Sequence, residues 1–298
     1  MKIVSLLPSA TEIVFALGLG DSLVGVSFEC DHPPEARTKP VVSGTALPTD
    51  QPLTAAEIDR AVSSRVAADE SIYSLDAARI RAAAPDVILA QDLCAVCAVP
   101  SGQVEEALDV LGCRAQVVSL DPSTLDDVIA CVGRVGAVAG RDAEAAALMS
   151  RLRARVDRVR AQTADLPRVA ALALEWSEPP FNAGHWVPDM IEAAGGVAVL
   201  TRTGERSRRV DWSEVDAAGA ETVLFMPCGY SLEDAVREGE ELTSRPELGD
   251  ATEVWALAGD AYFSRPGPRV VDGVELLASI LHPEVGVRGP SDGAVRLR

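Results

Sequence analysis

The stretch Lys2-Ile3-Val4-Ser5-Leu6-Leu7-Pro8-Ser9-Ala10-Thr11-Glu12 opens the chain and decides the fold. Its apolar first half predicts a buried strand, and residues 8–12 predict a turn. The apolar residues that follow, up to Leu17, predict a helix that ends at Gly18. A second strand is predicted over residues 23–27. A strand–loop–helix–strand unit of this kind indicates an α/β fold whose loops can hold a ligand.

The same alternation of strands and helices continues along the chain and predicts two α/β lobes with mostly parallel central sheets. Between the lobes, residues 125–160 predict almost uninterrupted helix with a break near Gly140. The ligand is expected in a cleft between the lobes, beyond the carboxyl ends of the strands. The predicted parts are an N-terminal lobe, a connecting helix, a C-terminal lobe and a loosely held tail, at residues 1–136, 137–166, 167–282 and 283–298.

Helices are predicted within the lobes at residues 54–67, 75–84, 102–111, 187–194, 232–242 and 271–281.

The composition excludes several kinds of partner. A formal net charge of −18 argues against nucleic acid and against an anionic membrane surface. No apolar run approaches the roughly 20 residues that span a bilayer, so no membrane insertion is expected. Because Met1-Lys2 leads straight into the first strand, the sequence as given predicts a cytoplasmic protein. A periplasmic or cell-surface location is expected if a leader has been removed. We expect a monomer with a small-molecule ligand.

These features resemble the cobalamin (vitamin B12) and ferric-siderophore substrate-binding proteins of ABC transporters, and the B12-binding branch most of all. The resemblance runs from Lys2 to about His282 and implies the two-lobed, helix-connected periplasmic-binding-protein fold. It further implies a corrinoid, or a related metal chelate, as ligand and an ABC transporter permease as partner. The matching segments are residues 5–12, 24–27, 31–34, 84–88, 179–181, 195–196, 262–263 and 268–269.

Three features depart from that family and make a permease partner doubtful. No leader or lipoprotein cysteine stands at the start of the given sequence. The B12-binding relatives dock through one acidic residue on each lobe, and the corresponding positions here are Ala78 and Ser264, with Asp76 and Glu70 nearby. The chain also carries additional cysteines. These departures predict a cytosolic branch of the family.

Ligand-binding candidates follow the predicted strands. Aromatic residues make up only 4% of the chain, yet six of them fall in predicted loops after strands, where flat rings suit a flat macrocycle. A neutral imidazole there could ligate cobalt or iron, although a structural histidine is the commoner case. Arg206, Arg208 and Arg209 could hold ligand carboxylate, amide or phosphate groups, although a solvated basic loop is at least as common. The predicted set is Ser9, His32, Asp92, Glu175, Trp176, Phe181, His185, Trp186, Arg208, Tyr230, Tyr262 and Phe263.

The cysteines supply an alternative function. Cys94 and Cys97 form a Cys-x-x-Cys pair after a predicted strand, and Cys30 and Cys228 also follow strands. Four such thiols could bind zinc or an iron–sulfur cluster, a pair could be redox-active, or all could be buried and inert. We find no dinucleotide-binding glycine pattern, P-loop or catalytic triad, so no enzyme activity is expected. The hypotheses are a corrinoid-binding protein, a cytosolic metal or iron–sulfur protein, and a ferric-siderophore or haem receptor without its leader.

Overall fold

The computed structural model describes residues 1–47, 55–68, 70–92, 102, 104, 114–249 and 252–298. The chain forms two compact units. Unit 1 comprises Met1–Asp121 and Ala130–Met149, and unit 2 comprises Pro122–Ile129 and Ser150–Arg298. Each unit is built on a mostly parallel sheet with helices, which confirms the predicted α/β class. One point of division, between Met149 and Ser150, falls within the helix Asp142–Thr163.

The unit 1 sheet has four parallel strands in the order β2-β1-β5-β6. The central strand β1 is buried along its whole length, as its apolar sequence predicts. A separate antiparallel pair joins β3 to β4. The strands are β1 (Ile3–Ser5), β2 (Leu23–Val26), β3 (Ser43–Thr45), β4 (Tyr73–Leu75), β5 (Val87–Ala90) and β6 (Gln116–Ser119).

The first helix differs from the prediction for this part of the chain. It starts at Pro8, so the turn predicted over residues 8–12 is wrong. Proline is favoured in the first helical turn because that position needs no amide donor. The break near Gly140 is confirmed by its φ of 64°. The helices up to this point and just beyond are α1 (Pro8–Ala16), α2 (Ala55–Ala67), α3 (Ala77–Ala83), α4 (Leu125–Ala139) and α5 (Asp142–Thr163).

The helix predicted at residues 102–111 lies outside the described residues, apart from Gly102 and Val104.

Unit 2 has a six-stranded sheet in the order β12-β11-β10-β7-β8, with β9 also pairing with β7. β7 is parallel to β9 and β10 and antiparallel to β8, while β10 and β11 are parallel. The strands are β7 (Val169–Ser177), β8 (Pro180–Asn182), β9 (Gly196–Ala198), β10 (Thr222–Phe225), β11 (Glu253–Leu257) and β12 (Ala294–Arg296).

The helices of unit 2 pack on this sheet and against α5. Arg155 of α5 forms ion pairs with Asp272 at 2.5 Å and with Glu275 at 2.6 Å. The remaining helices are α6 (Val187–Ala193), α7 (Trp212–Ala218), α8 (Leu232–Gly239), α9 (Gly259–Tyr262) and α10 (Val270–Leu281). In the described part of the chain, no helix combines the length and the apolar character needed to cross a bilayer.

The prediction of a loosely held tail is wrong. Within residues 283–298, β12 pairs antiparallel with β11. The Arg298 guanidinium donates to the carbonyl oxygens of Thr243, Gly249 and Thr252 at 2.9–3.0 Å. The edge strand and these bonds outweigh the flexibility that its glycine and proline content suggested.

Candidate ligand-binding site

The carboxyl edge of the unit 2 sheet carries a row of aligned side chains. At the end of β7, Trp176 pairs with Phe181 of the antiparallel β8, just after a register shift that begins at Leu174. Phe181 in turn pairs antiparallel with Arg209. Side chains that lie directly opposite each other in antiparallel strands share one face of the sheet. Trp176, Phe181 and Arg209 therefore form one row across three adjacent segments.

A third ring adds to this row. Tyr230, in the loop after β10, meets Trp176 edge-on, with ring centroids 5.5 Å apart and planes at 83°. Trp176, Phe181 and Tyr230 are each half-buried, so part of every ring remains accessible. We call these three residues the aromatic row. Flat, rigid rings of this kind bind ligands by stacking and by burying area at a small cost in conformational entropy.

The Tyr230 hydroxyl stays protonated. Burial, followed by the nearby Glu238 carboxylate, raises its pKa well above the usual range. Glu238 also accepts a hydrogen bond of 2.8 Å from the Ser177 hydroxyl. The phenol is therefore neutral at pH 7, and the ring can act through its faces and edges.

A strap, residues 200–210, runs along β8 and supports the row. The buried Asn182 side chain fastens it, accepting from the Arg208 amide at 2.7 Å and donating to the Leu200 carbonyl at 2.5 Å. Gly184 is required here, because a Cβ at this position would lie 2.4 Å from the Ser207 nitrogen. The sequence analysis did not single out Asn182 or Gly184. The asparagine directly after Pro-Pro-Phe was the one sequence feature that could have indicated this role.

His185 follows at the end of this segment with a left-handed φ of 55°. Its backbone is bonded to the strap at both ends, to the Glu205 carbonyl and the Gly204 amide. The imidazole stacks on Trp186, and its Nδ1 is buried with no hydrogen-bond partner among the described residues. Burial, and then the charge of Arg206, lowers its pKa. The imidazole is consequently neutral at pH 7, as metal ligation requires.

The prediction that the six aromatic candidates lie in loops after strands is wrong for Trp176 and Phe181, which lie within β7 and β8, and for Tyr262, which lies in α9. Trp186, Tyr262 and Phe263 are also buried rather than open to a ligand. Trp186 is 5% exposed and donates from its indole nitrogen to the Phe263 carbonyl at 2.8 Å. Tyr262 ends α9 and donates to Asp292 at 3.0 Å, and the Phe263 ring is 1% exposed. Trp186 stands at the start of α6, and Tyr262 and Phe263 stand at the end of α9. Their rings are buried because removing large apolar rings from water is favourable. Their part in ligand binding stays a prediction.

Two charged candidates of unit 2 lie beside the row. Arg208 is exposed and forms an ion pair of 2.9 Å with Glu214, which raises the pKa of its guanidinium. Glu175 is half-buried in β7, next to Trp176. The pairing with Glu214 occupies Arg208, so Arg209 is the arginine that is aligned with the aromatic row.

The carboxyl edge of the unit 1 sheet has a different character. Ser5, Thr11, Ser27 and Cys30 are all buried there. The Thr11 hydroxyl lies 2.8 Å from Ser5 Oγ and 3.1 Å from Cys30 Sγ, and Ser27 Oγ lies 3.4 Å from the same sulfur. We call these four residues the hydroxyl cluster. Their polar groups bond to one another within the interior.

The structure also places the other unit 1 candidates. Ser9 is buried in α1, and His32 is half-buried after β2. Asp92 is exposed after β5 and accepts a hydrogen bond of 3.1 Å from the Ser119 hydroxyl. Phe28, which directly follows β2 and is 41% exposed, was missed. Applying the same search for aromatic residues after strands to the first lobe would have found it.

The proposed cysteine site gains no support. Cys94 and Cys97 lie outside the described residues. Cys30 is buried in the hydroxyl cluster, Cys228 is half-buried after β10, and Cys131 is buried in α4. Within the described ranges, no group of three or more His, Cys, Asp or Glu side chains is placed to hold a metal ion.

A parallel-sheet unit with an aromatic row at its carboxyl edge is typical of a protein that binds a small molecule. The model of the periplasmic binding protein family matches residues 3–252, so this chain belongs to that family. It is a substrate-binding protein of the ABC-transporter type, and the predicted family resemblance is confirmed.

Individual relatives agree with this assignment. The vitamin B12-binding protein of Vibrio cholerae is 25% identical over 287 residues, covering 94% of this chain and 88% of that protein. Its crystal structure superposes with a TM-score of 0.68 at 22% identity, covering 96% and 98% of the two chains. A periplasmic heme-binding protein from Pseudomonas aeruginosa gives a TM-score of 0.70 at 18% identity, covering 97% and 95%.

These structures share the fold, and both are named as periplasmic proteins. The cytoplasmic location of this chain stays a prediction. At the expected permease-docking positions, Ala78 is exposed and Ser264 is half-buried. The nearby acids are already paired within unit 1, Asp76 with Arg79 at 3.0 Å and Glu70 with Arg65 at 3.2 Å.

Proposed function

We propose that this protein binds a planar metal chelate, a corrinoid of the cobalamin type or a related macrocycle, on the aromatic row of unit 2. The observation that carries the proposal is the alignment of Trp176 with Phe181, with Tyr230 edge-on to the tryptophan. The accessible rings can offer a flat face or an edge to a flat ligand. The similarity to a B12-binding protein supports the same ligand class.

His185 is the proposed metal ligand in this arrangement. It lies three residues beyond β8, and its imidazole is neutral because burial lowers its pKa. Its backbone bonds to the strap hold its left-handed conformation. A neutral ring nitrogen is a good donor to cobalt or iron. We therefore expect a bound chelate to show an imidazole ligand in its absorption spectrum.

Titration with cobinamide, cobalamin and haem, followed by absorption and by desalting, tests the proposal. At least one chelate is expected to be retained with micromolar or tighter affinity and with shifted bands. His185→Gln should remove the band shift if its imidazole ligates the metal. Absence of binding by all three at high micromolar concentration would refute the proposed function.

Trp176→Leu and Trp255→Leu form a matched pair for the same titration. Both tryptophans are half-buried on strands of the same sheet, but Trp255 lies within β11, away from the aromatic row. Trp176→Leu is expected to weaken binding about 10- to 100-fold, the equivalent of burying one aromatic side chain. Trp255→Leu should change it less than threefold. Equal losses would indicate a general effect on folding.

A further inference from the structure

Arg209 extends the aromatic row with a positive charge. The Val210 amide donates to the Pro180 carbonyl, and the Asn182 amide donates to the Arg208 carbonyl. These two bonds flank Phe181 and Arg209 and make them a non-hydrogen-bonded antiparallel pair. In such a pair the Cα atoms are only about 4.5 Å apart and the side chains are closest to each other. The Arg209 and Phe181 side chains therefore leave the backbone next to each other.

The guanidinium of Arg209 is available to a ligand. Two other arginines of unit 2 have carboxylate partners, Arg208 with Glu214 and Arg245 with Glu178. Arg209 is exposed and forms no ion pair within the described part of the chain. The strap carries further exposed arginines at 202 and 206, which makes it locally basic on a chain of net charge −18. A guanidinium that has no carboxylate partner among the described residues, on a side chain paired with a phenylalanine, is a good receptor for a carboxylate.

We propose that Arg209 binds a carboxylate at the rim of the ligand, so that the site prefers planar chelates with ionised side chains to neutral ones with the same ring. This inference rests on the proposed function and adds the class of substituent that the ligand carries. Stacking on Trp176 and Phe181 buries the ring of the ligand and does not distinguish the substituents at its rim. The charge-assisted bond from Arg209 supplies the discrimination.

The test compares two corrinoids that share one ring. Cobinamide has neutral amide side chains, and cobyrinic acid carries free carboxylates. The wild-type protein is expected to bind cobyrinic acid at least tenfold more tightly at low salt, and the advantage should shrink at 0.5 M sodium chloride. A second pair, haem and its dimethyl ester, repeats the comparison on a porphyrin ring.

Arg209→Gln is expected to lower the ratio of the two affinities about tenfold, with Arg209→Lys in between because lysine keeps the charge but loses the fork of donors. Arg202→Gln is the matched control on the same strap and should leave the ratio within twofold. An unchanged ratio in Arg209→Gln, or equal changes in both variants, would overturn the inference while the proposed function stands. Absence of binding by all four ligands would overturn both.

Discussion

The side chains at the carboxyl edges of the two sheets differ in chemical character. At the carboxyl edge of unit 1, the hydroxyl cluster of Ser5, Thr11, Ser27 and Cys30 is buried and bonded to itself. At the same edge of unit 2, the aromatic row is half-buried and continues into the exposed Arg209. Groups that satisfy one another stabilise loops, whereas partly exposed rings and an unpaired cation can be used by a ligand. We therefore expect the first edge to contribute stability, and the proposed ligand recognition falls to the second.

The largest expected effect is on ligand affinity and uses one phenylalanine from each edge. Phe181→Ala should weaken binding of cobinamide, or of the tightest chelate found, about 30-fold, because roughly 2 kcal/mol of apolar burial is lost. Phe28→Ala, which removes the exposed ring after β2 of unit 1, should weaken it less than threefold. Isothermal titration calorimetry on both variants checks this. A similar loss in both would show that recognition is shared between the edges.

The next effect is on stability, at the edge of unit 1. Thr11→Val keeps the side-chain shape but removes the hydroxyl that lies between Ser5 and Cys30. We expect the free energy of unfolding to fall by about 1.5 kcal/mol, because buried polar groups lose a partner. Urea denaturation measures it. Thr38→Val, at an exposed hydroxyl bonded to the Glu35 carbonyl, is the control and should cost under about 0.5 kcal/mol.

An unchanged stability in Thr11→Val, or a large loss of ligand affinity, would contradict the structural role assigned to the hydroxyl cluster. The first result would mean that water or a neighbouring group replaces the hydroxyl. The second would place the unit 1 edge in recognition. Either outcome would argue against a stabilising role for the unit 1 edge that differs from the ligand-binding role of the unit 2 edge.

The sequence predicted most of the fold, since hydrophobic periodicity and helix-ending glycines are local signals. The break near Gly140 and the buried β1 are examples. The start of α1 was not predicted, because proline reads equally as a turn residue and as a first helical residue. The packing of the tail depends on β11 and on distant carbonyls, which no local pattern reports.

Less of the candidate site could be predicted. Tyr230 follows the rule that aromatics after strands mark a ligand edge, and the structure brings it together with Trp176, which was expected in a loop and lies near the end of β7. The same rule also selected Phe263, whose ring is buried. The partnership of Phe181 with Arg209 depends on the register between β8 and the strap. That register is fixed by Asn182 through contacts 18 and 26 residues away, beyond the reach of sequence periodicity.

Tyr262→Phe tests whether the tail is bound as firmly as the structure shows. The hydroxyl donates to Asp292, and burial raises the pKa of Tyr262 to about 12. Removing it should lower the free energy of unfolding by about 1 kcal/mol. In the wild type, stability should fall as pH rises from about 10 to 12, because only the unfolded chain ionises this phenol there. Ultraviolet titration of the wild type and the variant checks the assignment.

The smallest effect concerns His185 and sharpens the description of the unit 2 edge. Burial lowers its pKa below the usual 6.5, so the unfolded chain binds a proton that the folded chain rejects. Stability should therefore fall as pH drops below about 6.5, and His185→Gln should flatten that part of the curve. Chelate affinity should fall over the same range, because a protonated imidazole cannot ligate a metal. Chemical denaturation and titration at pH 7.5 and 5.5 measure both. A wild-type acid slope that His185→Gln leaves intact would mean that another group titrates there, and that the neutral ring has no special place at this edge.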